Sequence, residues 1–224
     1  MPTERFSITN RRGKRLVGLI DYPAGTSAVG KLFVACHGYG GNKEGRYLRT
    51  ISDTLTTAGM GNVRFDFTNG AGESEGVLSN ASVAGYADDL DDVLDYLGAL
   101  PRLARSAVAI AGHSYAGRVA LVVAARRPAI AAVFFLSAVY PSNEFDIPAI
   151  VAAVQAPIFV IHGSADREVA LSNAEALQRV AGDKIAGVTI IAGADHNYTL
   201  AHSADKVAAA IQEALATLAV GPTG

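Results

Sequence analysis

The sequence lacks the residues and runs that mark several classes of protein. Among its 224 residues there is one cysteine, Cys36, and no tryptophan. A single cysteine cannot form an intrachain disulfide or build a cysteine-rich zinc site. No segment reaches the roughly 18 uninterrupted apolar residues of a membrane-spanning helix. The first residues, MPTERFSITN, lack the apolar core of a secretory signal, so we expect a cytoplasmic protein.

An excess of charge is also missing. The 19 Lys and Arg residues nearly balance the 21 Asp and Glu residues, which gives a formal net charge of −2. This balance does not favour nucleic acid or an anionic membrane as a partner. Half of the residues are hydrophobic and 18% are charged, a globular composition. The length suits a single α/β domain spanning 1–224. We expect a small molecule as its partner, and the sequence leaves both monomer and homodimer open.

Hydrophobic patterning predicts a mostly parallel sheet of eight strands. Segments 5–9 and 14–22 flank the turn NRRG and predict an N-terminal β-hairpin. Short apolar runs predict six more strands, at 31–36, 62–67, 106–112, 131–138, 157–163 and 187–193. Helical periodicity lies between and after them, at 46–59, 82–99, 115–126, 146–155, 171–181 and 203–218. Continuously apolar strands alternating with helices are typical of a parallel sheet covered by helices on both faces.

One predicted helix carries a run of acidic residues. A cluster of carboxylates could bind a metal ion, but a solvated helix face explains the same pattern. Negative charge near the start of a helix is also favourable. We interpret the run as a solvated face and expect no metal site; its members are Asp88, Asp89, Asp91, Asp92 and Asp95.

Three polar residues each follow a different predicted strand. Ser114 follows 106–112, Asp166 follows 157–163 and His196 follows 187–193. Ligands of parallel sheets bind where the strands end at their carboxyl side, so we expect these side chains to meet. A serine hydroxyl needs an adjacent base to act as a nucleophile. His196 would take its proton, and Asp166 would orient the imidazole.

Alternatives exist for two of these roles. Ser114 could simply cap the helix that follows it, as serine often does. Glu144 and Asp146 follow the preceding strand and are rival candidates for the acid. Asp195 is adjacent to His196 in sequence, but neighbouring side chains in a loop rarely orient one another in this way.

The other histidines have simpler interpretations. His37 and His113 are expected to order their loops through hydrogen bonds. His162 ends a strand and is expected to be buried, whereas His202 is expected to be exposed.

Four motifs together resemble one enzyme family. They are HGYGG at 37–41, GHSYAG at 112–117, HGSADREV at 162–169 and GADH at 193–196. With the chain order serine, acid, histidine, they resemble the α/β-hydrolase superfamily over residues 5–218. The compact size is similar to small esterases of the feruloyl or cinnamoyl type and to the dienelactone-hydrolase-like group. One departure is Ala116, which stands at the last position of G-x-S-x-G; we expect it to be tolerated because alanine adds only one methyl group.

The resemblance implies a site without metal or cofactor. Backbone N–H groups of Tyr39 and Tyr115 would form the oxyanion hole, and glycines would let the first loop approach the substrate. The HGYGG loop lacks the G-K-[ST] ending of a phosphate-binding loop, which argues against a nucleotide. Only residues 139–156 separate two predicted strands, so no full cap domain is expected. Expected substrate contacts are Gly38, Gly40, Tyr140, Phe145 and Ile147.

The implied activity is hydrolysis of small to medium acyl or aryl esters through an acyl-enzyme. Thioesterase, amidase or peptidase, and C–C bond hydrolase activities use the same triad and remain alternatives. A non-catalytic ligand-binding homologue is a further alternative. The segment DFTNGAGESEG at 66–76 is expected to be scaffolding, with Asp66 and Ser74 bonding to nearby backbone.

Overall fold

The protein is described by a computed structural model that covers residues 2–200 and 202–218. Within these residues the strands are β1 (Thr3–Thr9), β2 (Arg15–Asp21), β3 (Lys31–Cys36), β4 (Gly61–Asp66), β5 (Ala107–His113), β6 (Ala132–Leu136), β7 (Ile158–Gly163) and β8 (Ile185–Ile191). They form one eight-stranded sheet in the order β1-β2-β4-β3-β5-β6-β7-β8. The pairs β1–β2 and β2–β4 are antiparallel, and all other neighbours are parallel. The predicted mostly parallel sheet with an N-terminal hairpin is confirmed.

Helices cover both faces of this sheet. In the described residues the α-helices are α1 (Arg46–Thr57), α2 (Val83–Ala99), α3 (Ala116–Arg126), α4 (Ile147–Ala153), α5 (Ser172–Ala181) and α6 (Ser203–Leu218). Side chains of β3 alternate between two cores: Leu32 and Val34 face α2 to α5, whereas Phe33 and Ala35 face α1 and α6. None of the helices in these residues is long and apolar enough to cross a membrane.

The connection between β6 and β7 is short. Residues 137–157 contain only the seven-residue α4, which packs against α3 and α5. The expected lack of a full cap domain is therefore confirmed.

Strand β8 departs from the expected pattern. It begins at Ile185, two residues earlier than predicted, and its side chains Ala186, Val188 and Ile190 are exposed. The reason is its place at the edge of the sheet, where it pairs only with β7.

The acidic run on α2 is not simply a solvated face. Asp89 is fully buried and accepts hydrogen bonds from Asn10, Arg12 and Thr68 at 2.7 Å. Asp91 is 5% exposed and pairs with two arginines at the end of α3, Arg126 and Arg127. The expected solvated face is therefore wrong for Asp89, because the turn between β1 and β2 packs on it, and for Asp91, because the arginines at the end of α3 pair with it. The described residues hold no group of three or more His, Cys, Asp or Glu arranged around a metal position.

A buried ion pair joins the end of β4 to the loop before α1. Both oxygens of Asp66 face Lys43: Oδ1 accepts from its backbone N–H at 2.6 Å and Oδ2 from its ammonium at 2.8 Å. Oδ2 also accepts from Glu73 N, and Ser74 Oγ donates to the Asp66 carbonyl at 2.6 Å. The scaffolding role expected for Asp66 and Ser74 is thus confirmed. The pair fixes the far end of the HGYGGNK loop.

We expect Asp66→Asn to lower the free energy of unfolding by about 3 kcal/mol, because the buried ammonium of Lys43 loses its buried carboxylate and keeps only the half-exposed Glu73 as an ion-pair partner among the described residues. Urea unfolding followed by circular dichroism measures the change. Asp95→Asn is the matched control, since Asp95 is 63% exposed and should cost less than about 1 kcal/mol. Equal effects of the two substitutions would contradict the prediction.

Candidate active site

Ser114 lies on a sharp turn between β5 and α3. Its φ of 53° is in the left-handed region, which costs a non-glycine residue roughly 1–2 kcal/mol. Strand β5 and helix α3 pack too closely to leave room for a side chain at Gly112 or Gly117. A Cβ on Gly112 would lie 2.1 Å from the Ala116 carbonyl oxygen, and one on Gly117 would lie 2.3 Å from Ala138 Cβ. The glycines therefore permit the turn, and Ala116 itself is fully buried.

The helix-cap alternative for Ser114 has no support in the described residues. Helix α3 begins at Ala116 with Tyr115 in the N-cap position, and no side chain caps it. The Ser114 backbone is instead tied to the next strand, because its N–H donates to the Leu136 carbonyl at 3.0 Å. The hydroxyl is left available for other chemistry.

His196 and Asp166 are joined by a hydrogen bond. Nδ1 of His196 donates to Oδ2 of Asp166 at 2.8 Å, and the acid side chain is only 1% exposed. The other oxygen, Oδ1, accepts from the backbone N–H groups of Glu168 and Val169. Burial raises the pKa of Asp166, but these hydrogen bonds outweigh it and hold the pKa below its ordinary value. With Nδ1 protonated, Nε2 of the neutral imidazole is free to accept a proton.

The rival acids are engaged elsewhere. Glu144 accepts from Val83 N at the start of α2 and from the Tyr115 hydroxyl. Asp146 accepts from Ala149 N and caps α4. The carboxylate of Asp195 bonds to Thr199. Of the four candidate acids, Asp166 is the one that contacts the His196 ring.

One open cavity of about 600 Å³ contains both Ser114 and His196. No hydrogen bond joins their side chains in the described structure; such contacts are often long before a substrate binds. Nε2 of His196 lies 3.8 Å from a carboxylate oxygen of Glu168, whose side chain is 66% exposed. The remaining lining residues are Gly38, Tyr39, Gly40, Gly41, Asn42, Gly45, Arg46, Tyr47, His113, Asn197 and Thr199.

Two backbone donors flank Ser114. Within the described residues, neither Tyr39 N–H nor Tyr115 N–H donates to a protein acceptor. Gly38 lies directly against the serine, since a Cβ there would be 2.9 Å from Ser114 Cβ. Gly40 has a φ of 67° in a tight turn closed by the Gly41 N–H to Gly38 carbonyl bond. This arrangement agrees with the oxyanion hole expected from the sequence, which stays a prediction.

Comparison with known families decides the classification. The sequence profile of a family described as an alpha/beta hydrolase domain matches residues 29–220. The chain belongs to this alpha/beta hydrolase family. The family and fold support hydrolase activity. No curated protein matches the sequence.

Solved structures resemble this hydrolase over nearly its whole length. Est1E from Butyrivibrio proteoclasticus with ferulic acid bound is 20% identical, with a TM-score of 0.86 over 96% of this chain and 100% of that chain. An esterase domain from Rhodothermus marinus is 23% identical, with a TM-score of 0.77 over 95% and 97% of the two chains. A serine hydrolase homologue from Coxiella burnetii is 20% identical, with a TM-score of 0.77 over 96% and 98%. At these identities the likeness shows the fold.

Two buried histidines order the loops of the hydrolase around Ser114. His37 accepts from Phe67 N through Nε2, so its Nδ1 must donate to the Gly38 carbonyl at 2.8 Å; burial lowers its pKa. His113 bonds through Nε2 to the His196 carbonyl at 2.8 Å, and burial lowers its pKa to about 3. Since the carbonyl can only accept, Nε2 of the neutral ring carries the hydrogen. The structural role expected for both histidines is confirmed.

Further supports surround His196 and Asp166; the expected burial of His162 is confirmed, whereas Tyr198 and Ser137 were not found from the sequence. The buried Tyr198 hydroxyl donates to Ser137 Oγ at 2.9 Å, which anchors the loop of His196. His162 bonds to the Val169 carbonyl at 2.9 Å and lies 3.4 Å from Asp166 Oδ2. The only available signal for Tyr198 was its position two residues after His196; nothing in the sequence singled out Ser137.

The expected substrate contacts divide into two groups. Gly38 and Gly40 line the cavity, as does Tyr39. The expectation that Ile147 contacts the substrate is wrong, because its side chain is 2% exposed and belongs to the core under α4. Tyr140 and Phe145 pack against the same core and do not line the cavity that holds Ser114. The cavity instead opens towards the loops preceding α1 and α6.

We expect the free energy of unfolding to fall more steeply with decreasing pH in the wild type than in a variant that lacks His113. The pKa of His113 is about 3 in the folded chain, against about 6.5 for an unfolded histidine. Between these values the unfolded chain binds a proton that the folded chain excludes. Hence the free energy of unfolding should fall by up to about 1.4 kcal/mol per pH unit from this group as pH drops from about 6.5 towards 3.

His113→Asn should therefore show a shallower decline over this range, although it is less stable at pH 8. Urea unfolding at a series of pH values gives both curves. Parallel curves for the wild type and the variant would rule out this contribution.

Proposed function

We propose that the protein is a serine hydrolase that cleaves small to medium acyl or aryl carboxylic esters through an acyl-enzyme intermediate. One observation carries the proposal. His196, which is hydrogen-bonded to the buried Asp166, lines the same cavity as Ser114, and Ser114 lies on a strained turn with no side-chain hydrogen bond among the described residues.

The geometry supports a defined sequence of steps. Nε2 of His196 accepts the Ser114 proton as Oγ attacks the ester carbonyl carbon. Asp166 stabilises the imidazolium that forms. Tyr39 N–H and Tyr115 N–H stabilise the negative oxygen of the tetrahedral intermediate. His196 then protonates the leaving alcohol, and a water molecule activated by the same nitrogen hydrolyses the acyl-serine.

The ester class is favoured by two considerations. The site is roofed by loops, without a cap domain that would enclose a long lipid chain. Similar structures include Est1E, with ferulic acid bound, and an esterase domain. Thioesters and amides would use the same residues, and no feature of the cavity favours them over esters.

Ser114→Ala should abolish labelling by a fluorophosphonate probe and hydrolysis of p-nitrophenyl acetate and methyl ferulate. The matched control is Ala116→Gly, which restores G-x-S-x-G two residues away and should retain labelling and activity. If Ser114→Ala still labels and still cleaves the esters, Ser114 is not the nucleophile. If wild-type folded protein neither labels nor cleaves any ester, the non-catalytic alternative is favoured.

Asp166→Asn tests the acid. The amide can keep the Glu168 and Val169 backbone bonds through its remaining oxygen, but its NH₂ group cannot accept from His196 Nδ1. We expect kcat to fall by up to about 10⁴-fold because the imidazole is held in the wrong tautomer. Asp195→Asn is the control and should cost much less, since that carboxylate bonds only within its own loop. Comparable losses in both variants would overturn the assignment.

A further inference from the structure

Arg46 is an exposed cation that lines the cavity holding Ser114 and has no partner among the described residues. It is the first residue of α1 and lines this cavity next to Gly45 and Tyr47. No hydrogen bond, ion pair or ring contact engages its guanidinium among the described residues. Two other arginines that face a cavity or the core are paired: Arg64 with Asp21, and Arg127 with Asp91.

The surroundings of Arg46 are polar. Asn42, Asn197 and Thr199 line the same cavity. A recess of about 80 Å³ shares Arg46, Tyr47, Asn197 and Thr199 with it, and also meets His202 and Asp205. Amide, hydroxyl and charged groups thus line the cavity together with the aromatic side chains of Tyr39 and Tyr47.

Two carboxylates lie in this region, and neither neutralises Arg46. Glu168 is the acidic residue of the main cavity, but its near neighbour is Nε2 of His196 at 3.8 Å. Asp205 lies in the small recess, 3.3 Å from His202. Neither is within 4.0 Å of the Arg46 guanidinium. The cavity therefore carries a negative charge beside His196 and an unpaired positive charge at Arg46.

We propose that Arg46 binds a carboxylate of the substrate, so that the preferred esters carry a free carboxylate beyond the scissile bond. This inference rests on the proposed esterase function and specifies its substrate class. The planar guanidinium donates two parallel hydrogen bonds to a carboxylate, and a bound substrate shields the pair from water. Glu168 repels the same carboxylate from the His196 side, and the two charges together orient the substrate along the cavity.

The test compares anionic and neutral esters of matched shape. For a carboxylate on the acyl half, the pair is mono-4-nitrophenyl adipate and its methyl ester. For a carboxylate on the alcohol half, the pair is 4-acetoxybenzoate and 4-acetoxybenzamide. In each pair the readout is the ratio of kcat/KM for the anionic ester to that for the neutral ester. Differences in intrinsic reactivity cancel when this ratio is compared between variants.

Arg46→Gln should lower the ratio by about tenfold or more in at least one pair, the size expected of a charge-assisted hydrogen bond, while kcat/KM for the neutral ester stays within about threefold. The pair that responds identifies the half of the substrate that carries the charge. Arg46→Lys should retain part of the preference. Glu168→Gln should raise the ratio, because it removes the opposing charge.

Arg49→Gln is the matched control. Arg49 is one turn further along α1 and exposed, has no ion-pair partner in the described chain, and does not line the cavity. Its ratio should stay within about twofold of the wild-type ratio. An unchanged ratio for Arg46→Gln in both pairs, or equal losses for Arg46→Gln and Arg49→Gln, would overturn the inference while leaving the esterase function intact. If the wild-type protein hydrolyses none of the four esters, the proposed function itself fails.

Discussion

The left-handed backbone of Ser114 is the constraint on which the arrangement of the site depends. A strand that runs into a helix with only two residues between them must turn sharply, and a φ of 53° at Ser114 makes that turn. Close packing at Gly112 and Gly117 holds β5 and α3 in place on either side. The unfavourable conformation is offset by backbone bonds to β6 and beyond, from Ser114 N to Leu136 O and from Val139 N to Ser114 O.

Buried polar side chains hold the loops around Ser114 in place through hydrogen bonds. Asp66 fixes the far end of the first loop through Lys43, and His37 fixes its near end. His113, adjacent to Ser114, holds the backbone of His196. Because each of these polar groups is buried, breaking its bond would leave a desolvated donor, acceptor or charge. The loops are therefore held by the cost of unsatisfied polar groups as well as by packing.

Much of the fold followed from the sequence because parallel strands and amphipathic helices have strong periodic patterns. The order of Ser114, Asp166 and His196 also followed, since each lies at the end of a predicted strand. The choice among rival acids could not be made with the same force: it depends on Glu144 reaching the first turn of α2, 61 residues away in sequence. Tyr198 and Ser137, also 61 residues apart, form an anchor with no local pattern. The burial of Asp89 depends in the same way on a turn from a distant hairpin.

The residues that line the cavity, and the side to which it opens, were the features least predictable from the sequence. Strand ends identify the edge of the sheet where ligands bind, but not the side towards which the cavity opens. Three of the predicted contacts, Tyr140, Phe145 and Ile147, belong to the β6–β7 connection, whose apolar side chains pack onto the α2–α5 core. The space beside Ser114 is then bounded by the loops before α1 and α6, which carry Asn42, Arg46, Asn197 and Thr199. Without a cap, the aromatic and aliphatic side chains of the β6–β7 connection cover the core instead of the cavity, whereas Tyr39 and Tyr47 line the cavity.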